Sequence, residues 1–168
     1  MNNQTPRILT LQIQEPAFTY FNDLRKQYFP AQLNYLDAHI TLFHHLPATD
    51  VITRVLEQVA AQHAVFPVEV TGLLKLGRGV AFQLQSKELV QLQEYLQQQW
   101  QAWLIPQDRQ KFRPHITVQN KVSPAEALLV YEKLRSTFQG FNITGLGLSL
   151  WEYLGGPWQK IKDYAFSG

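Results

Sequence analysis

The 168-residue chain contains no cysteine. That excludes a disulfide framework, a zinc ribbon and a thiol nucleophile, and it suits a reducing compartment. Nor is there any block of like charge: 15 Lys and Arg stand against 13 Asp and Glu, for a net charge of +2. A basic tail for duplex DNA is therefore absent, although a local phosphate site is compatible with this balance. No apolar run approaches the roughly 20 residues that span a bilayer. The opening MNNQTPRILTLQIQ lacks the basic-then-apolar order of a signal peptide. These absences lead to the expectation of a cytoplasmic, monomeric protein that does not engage membranes. What is present is an ordinary globular balance, 45% hydrophobic and 17% charged. The chain is long enough to bury a core without staples.

Periodicity supplies a coarse element order. ILTLQIQ (Ile8–Gln14) alternates apolar and polar residues and predicts a strand with one wet face. Pro16 opens a helix carrying Phe18, Phe21, Leu24 and Tyr28 at spacings of three and four, and Pro30 ends it. The stretch around His39 reads as a strand. Asp50 is the expected N-cap of a helix with Val51, Val55, Leu56 and Val59. FPVEVTGLLKL and VAFQLQ form a hairpin about Gly77-Arg78-Gly79, which is not a phosphate loop because no helix follows it. The glutamine-rich LVQLQEYLQQQWQAWL is an amphipathic helix, since Leu89, Leu92, Leu96, Trp100 and Trp103 recur at helical spacing. A strand around His115 follows, then a helix started by the capping box Ser123-Pro124-Ala125-Glu126 and ending near Gly140. Two final strands are joined through Gly155-Gly156-Pro157.

After the first strand, the order helix, His-strand, helix, hairpin is read twice. His39-Ile40-Thr41-Leu42 is echoed by His115-Ile116-Thr117-Val118, and Val70-Thr71-Gly72-Leu73 by Ile143-Thr144-Gly145-Leu146. Matched words in matched order point to an internal duplication.

Residues i and i+2 of a strand share a face, so each HxT triplet presents an imidazole beside a hydroxyl while the intervening residue faces the core. Two imidazoles flanking one substrate suit acid–base chemistry at phosphorus. A neutral ring takes a proton from the attacking water or hydroxyl, and a charged one protonates the leaving oxygen. Two threonine hydroxyls can donate to non-bridging phosphate oxygens. No cofactor and no metal is expected. His44 and His45 are adjacent on a strand, so their rings diverge, and no carboxylate stands at ligand spacing.

The two H-x-T-aliphatic motifs, the second preceded by Arg113-Pro114, resemble those of the 2H phosphoesterase superfamily, and most closely its bacterial 2′-5′ RNA ligase-like branch. The resemblance spans nearly the whole chain. It implies an α+β, bilobal fold in which two antiparallel sheets face a central cleft with helices outside, with one domain over 1–168 built from two duplicated lobes. It also implies action on 2′,3′-cyclic phosphate or 2′-5′ phosphodiester bonds of RNA or nucleotides. His39 and His115 would be the catalytic pair, and Thr41 and Thr117 the phosphate binders. Reverse RNA ligation is the same chemistry with a ribose hydroxyl in place of water.

Around the motifs, Phe43 shares the expected His39 face and is a candidate to stack on a base. Arg113 is a candidate phosphate partner. Tyr153, with Trp151, is a candidate for the opposite wall. Arg109, Lys111 and Lys121 could track an RNA backbone but read more simply as solvated charges. The competing function is a noncatalytic RNA-end or nucleotide-binding module on the same fold. Two titrating histidines weigh against it, because binding alone does not require them.

Overall fold

A computed structural model describes residues 4–168. Seven strands alternate with four helices: β1 Arg7–Ile13, α1 Ala17–Tyr28, β2 Ile40–Leu46, α2 Asp50–Gln62, β3 Phe66–Lys75, β4 Val80–Gln85, α3 Lys87–Gln99, β5 His115–Gln119, α4 Pro124–Thr137, β6 Phe141–Tyr153 and β7 Trp158–Ala165. All pairings are antiparallel, in the order β2-β1-β6-β3-β4-β5, with β7 also on β6. The α+β antiparallel architecture is the one expected. The two sheets are continuous, however, because β6 is long enough to serve both halves. Its first residues, Phe141 to Gly145, pair with β3, and its remainder pairs with β1 and β7. The sheet curls, and its two end strands, β2 and β5, approach one another without pairing. These are the strands that carry the two HxT triplets.

Local chemistry accounts for the elements. Ser123 Oγ accepts from Glu126 N at 3.2 Å, with Pro124 in the first turn of α4, as the capping box predicts. Ser86 caps α3 in the same way. Asp50 is not the N-cap of α2. Thr49 holds that position and Asp50 lies in the first turn, where its charge still favours the positive end of the helix. The α3 helix stops at Gln99 rather than reaching Trp103, and a 3-10 turn, Gln101–Trp103, lets Trp100 bury completely while Trp103 stays in water. Gly77 has φ +81° in the β3–β4 turn, a conformation that costs a side chain-bearing residue more. A Cβ on Gly79 would collide with the Gln119 carbonyl, so this turn can lie directly on the end of β5 only with glycine there.

The core is continuous across both halves. Leu9, Phe21, Leu46, Leu56, Phe82, Leu96 and Ile116 are all fully buried, each side chain contributing roughly 1.5–3 kcal/mol. Ile40 pairs opposite Leu11 and Ile116 opposite Phe82. The middle residue of each triplet is therefore the anchor that turns its His and Thr toward the opposite face. Among the described residues, no helix is long and apolar enough to cross a membrane.

Candidate active site

His39 lies one residue before β2, and His115 is the first residue of β5. Both are half-buried, as are Thr41 and Thr117. The two imidazoles are held identically. His39 Nδ1 lies 2.7 Å from the Asp37 carbonyl, and His115 Nδ1 lies 2.9 Å from the Arg113 carbonyl, in each case two residues back. A carbonyl can only accept, so both rings carry their proton on Nδ1 and leave Nε2 free for chemistry.

A polar row crosses the sheet beneath His39. Thr41 lies opposite Thr10, Thr10 opposite Ser149, and Ser149 opposite Asp163 on β7, with Ser149 Oγ donating to Asp163 Oδ1 at 2.6 Å. Thr10 Oγ1 accepts from Trp151 Nε1 at 2.9 Å. A cavity of ≈ 150 Å³ opens here, lined by His39, Thr10, Gln12, Ser149, Trp151 and Lys160 among others. Trp158 packs on the His39 ring with centroids 4.7 Å apart, and lies 6.1 Å from Trp151. A larger cavity, ≈ 600 Å³, sits between α1, α4 and the start of β6, lined by Tyr20, Phe82, Phe138 and Phe141. It holds neither histidine, and Tyr20 is the one titratable side chain in its lining.

Electrostatics distinguish the two rings. Removal from water pulls His39 down to about 4. Its hydrogen bond to the Asp37 carbonyl opposes that shift, while the positive charges of Arg25, His115 and His44 add to it. The ring keeps a part-exposed surface, and His39 is neutral at neutral pH.

The remaining candidates divide. Arg113 is exposed and its carbonyl aims His115. Tyr153, also exposed, lies directly across from Trp158 in the β6–β7 hairpin, which puts it on the wall that covers His39. Phe43 is a correction. It is fully buried and packs edge-on against Trp100 at 5.1 Å, so it cannot stack on a ligand. The cause is a register slip: β2 advances two residues from Thr41 to Phe43 while β1 moves one, from Thr10 to Leu9. Phe43 therefore falls opposite Leu9 and turns away from the Thr10 face. A second slip follows at His44 and His45. There both backbone N–H groups, and His44 Nδ1, reach the buried carboxylate of Asp108 at 2.9–3.0 Å. The amides converge where the rings do not.

Sequence reasoning missed Trp158, Thr10 and Asp108. For Trp158 a signal existed: it mirrors Tyr153 across the four-residue turn at Gly155-Gly156-Pro157 and must share its face. Thr10 and Asp108 carried none, because each acts through a partner distant in sequence.

A model of the 2′-5′ RNA ligase superfamily matches residues 13–157. The chain belongs to this superfamily, whose members are 2H phosphoesterases. No curated protein shows a significant match. Among solved structures, this 2′-5′ RNA ligase superfamily member is similar to TT0787 of Thermus thermophilus, with TM-score 0.71, 15% identity, and coverage of 97% of this chain and 98% of that one. It is similar to a phosphoesterase, with TM-score 0.63, 16% identity and coverage of 99% and 100%. It is also similar to E. coli LigT complexed with NADP+, with TM-score 0.61, 15% identity and coverage of 99% and 100%. At these identities the likeness establishes the fold. LigT has also been crystallised with 3′-AMP and with ATP.

Proposed function

We propose that this member of the superfamily is a metal-independent phosphodiesterase acting on 2′,3′-cyclic phosphate or 2′-5′ phosphodiester bonds of RNA or nucleotides. The observation that carries the reading is the twin placement of the imidazoles, each with Nδ1 on the carbonyl two residues back and Nε2 free. His39, neutral at neutral pH, takes the proton of the attacking water through Nε2. His115, acting as the imidazolium with protons on both nitrogens, gives its Nε2 proton to the departing ribose oxygen. For a cyclic phosphate, the bond formed is water oxygen to phosphorus, and the bond broken is phosphorus to one ribose oxygen. One proton enters at His39 and one leaves at His115, so the pair is reset by exchange with solvent. Thr41 and Thr117 donate to the non-bridging oxygens as charge builds on them. Arg113 and the Tyr153–Trp158 wall hold phosphate and base. Ligation runs the same steps with a ribose hydroxyl as nucleophile.

The same proposal holds that the chain is one domain of two duplicated lobes, acting as a cytoplasmic monomer. The like pairing of β2 on β1 and β5 on β4 supports the duplication. A register slip also accompanies both glycines of the repeated word, between Val70 and Gly72 on β3 and opposite Gly145 at Ile13. The test is product analysis with 2′,3′-cyclic nucleotides, a 2′-5′ dinucleotide, ADP-ribose cyclic phosphate and RNA ending in a cyclic phosphate. Binding of these without turnover by a folded protein would favour the noncatalytic module.

A further inference from the structure

The strands that carry the two motifs are the ends of the sheet and share no ladder. Something other than strand pairing must fix the distance between their imidazoles. Arg25, near the end of α1, is only 4% exposed. Its Nε donates to Asn34 Oδ1 at 2.7 Å and to the Leu36 carbonyl at 2.9 Å. Its Nη1 donates to the Thr117 carbonyl at 3.0 Å. Leu36 precedes Asp37, whose carbonyl aims His39, and Thr117 belongs to the second triplet. A single side chain thus grips the loop that orients the first imidazole and the strand that bears the second. The guanidinium also lies 4.2 Å from the Phe29 ring centroid, which restricts it to one pose.

A buried guanidinium is an expensive way to pack a helix. Desolvation lowers Arg25 to about 10, with Asp37 opposing. An apolar side chain of similar volume would fill the space at less cost. We propose that Arg25 is a positioning residue that sets the separation of the two HxT motifs. Of the charged groups acting on His39, Arg25 weighs most, ahead of His115 on β5 and His44 on β2. Lys160 of β7 lines the same cavity, and the Asp37 carboxylate, held by Asn22, sits on the loop itself. The fork geometry and the charge are separable, because lysine keeps the second and loses the first.

The inference rests on the proposed activity for its kinetic arm and not for its spectroscopic one. Full-length wild type, Arg25→Lys and Arg25→Gln are compared by kcat and KM on a 2′,3′-cyclic nucleotide, and by NMR titration of the His39 ring, assigned with His39→Gln. The lysine variant should lose roughly 10–100-fold in kcat with KM little changed, since misplacement by about 1 Å costs that much. Its His39 midpoint should stay low. The glutamine variant should show the same kcat loss and, with the positive charge gone, a raised His39 midpoint. Wild-type kcat in a folded lysine variant overturns the positioning role. An unmoved midpoint in the glutamine variant overturns the placement of the guanidinium against the His39 loop. Failure of both variants to fold makes Arg25 a structural residue and overturns the proposal. Should the wild type turn over no cyclic phosphate, the functional reading fails, while the titration still decides whether Arg25 governs His39.

Discussion

Trp158→Ala isolates the main cause of the low His39 pKa. The indole covers the imidazole at 4.7 Å, and loss of contact with water is the largest influence holding His39 at about 4. Without the indole, water reaches the ring, and the midpoint rises toward the ordinary imidazole value of about 6.5. The sign follows directly. A base must be neutral to act, so raising its pKa moves the acid limb of kcat/KM to higher pH. At pH 4.5, a ring titrating at 4 is about 76% neutral. A rise of one unit leaves about 24%, a threefold loss, and a full return to 6.5 leaves about 1%, a loss of roughly 80-fold. At pH 8 neither change matters. The kcat/KM ratio between pH 4.5 and pH 8 should therefore fall by about 3- to 80-fold in Trp158→Ala on a 2′,3′-cyclic nucleotide. Trp158→Phe, which keeps a ring, should fall much less. The ratio is the proper readout because a lost base contact would lower both arms equally. An acid limb that stays in place in a folded Trp158→Ala protein would falsify the assignment of His39 as the shielded base.

Four further outcomes follow from the same geometry. His39→Ala or His115→Ala should each lower turnover by about 10²–10⁴-fold, and the double variant should not show the product of the two, as initial rates on a cyclic phosphate will reveal. Thr41→Ala and Thr117→Ala should cost less, about 0.5–1.5 kcal/mol or roughly 2- to 12-fold in kcat/KM; a loss as large as that of the histidines would contradict a purely hydrogen-bonding role. Asp108→Ala strips the His44 and His45 amides of their acceptor and should destabilise by about 2–5 kcal/mol, read as a Tm lowered by several degrees. Turnover should survive EDTA, because both proton transfers are assigned to imidazoles; rescue of an EDTA-inactivated protein by one particular metal would refute that.

How much of this was legible in the sequence depended on whether a residue acts through its neighbours in the chain or through distant ones. The triplets were legible because strand alternation is local: Ile40 and Ile116 go to the core, so His and Thr are turned the other way. The capping box at Ser123 and the hairpin at Gly77 were legible for the same reason. Phe43 was misread because the slip at Leu42 depends on how β1 registers against β2, and alternation counted along one strand cannot see its partner. The join of two sheets through β6 was hidden likewise, since only pairing shows that one strand serves both halves. Arg25 and Asp108 are the sharper cases. As residues they are an arginine on a helix and an aspartate in a polar loop, and neither belongs to a motif that singles it out. Folding buries them at the two open edges of the sheet, where Asp108 closes the slipped end of β2 and Arg25 reaches from the His39 loop to Thr117. The HxT triplets were thus readable from short words, whereas the residues that tie their strands in place are readable only once the chain is folded. A sequence that kept both HxT triplets but replaced Arg25 and Asp108 would still read as a member of the superfamily, yet would lack the guanidinium that ties the His39 loop to β5 and the carboxylate that closes the slipped end of β2.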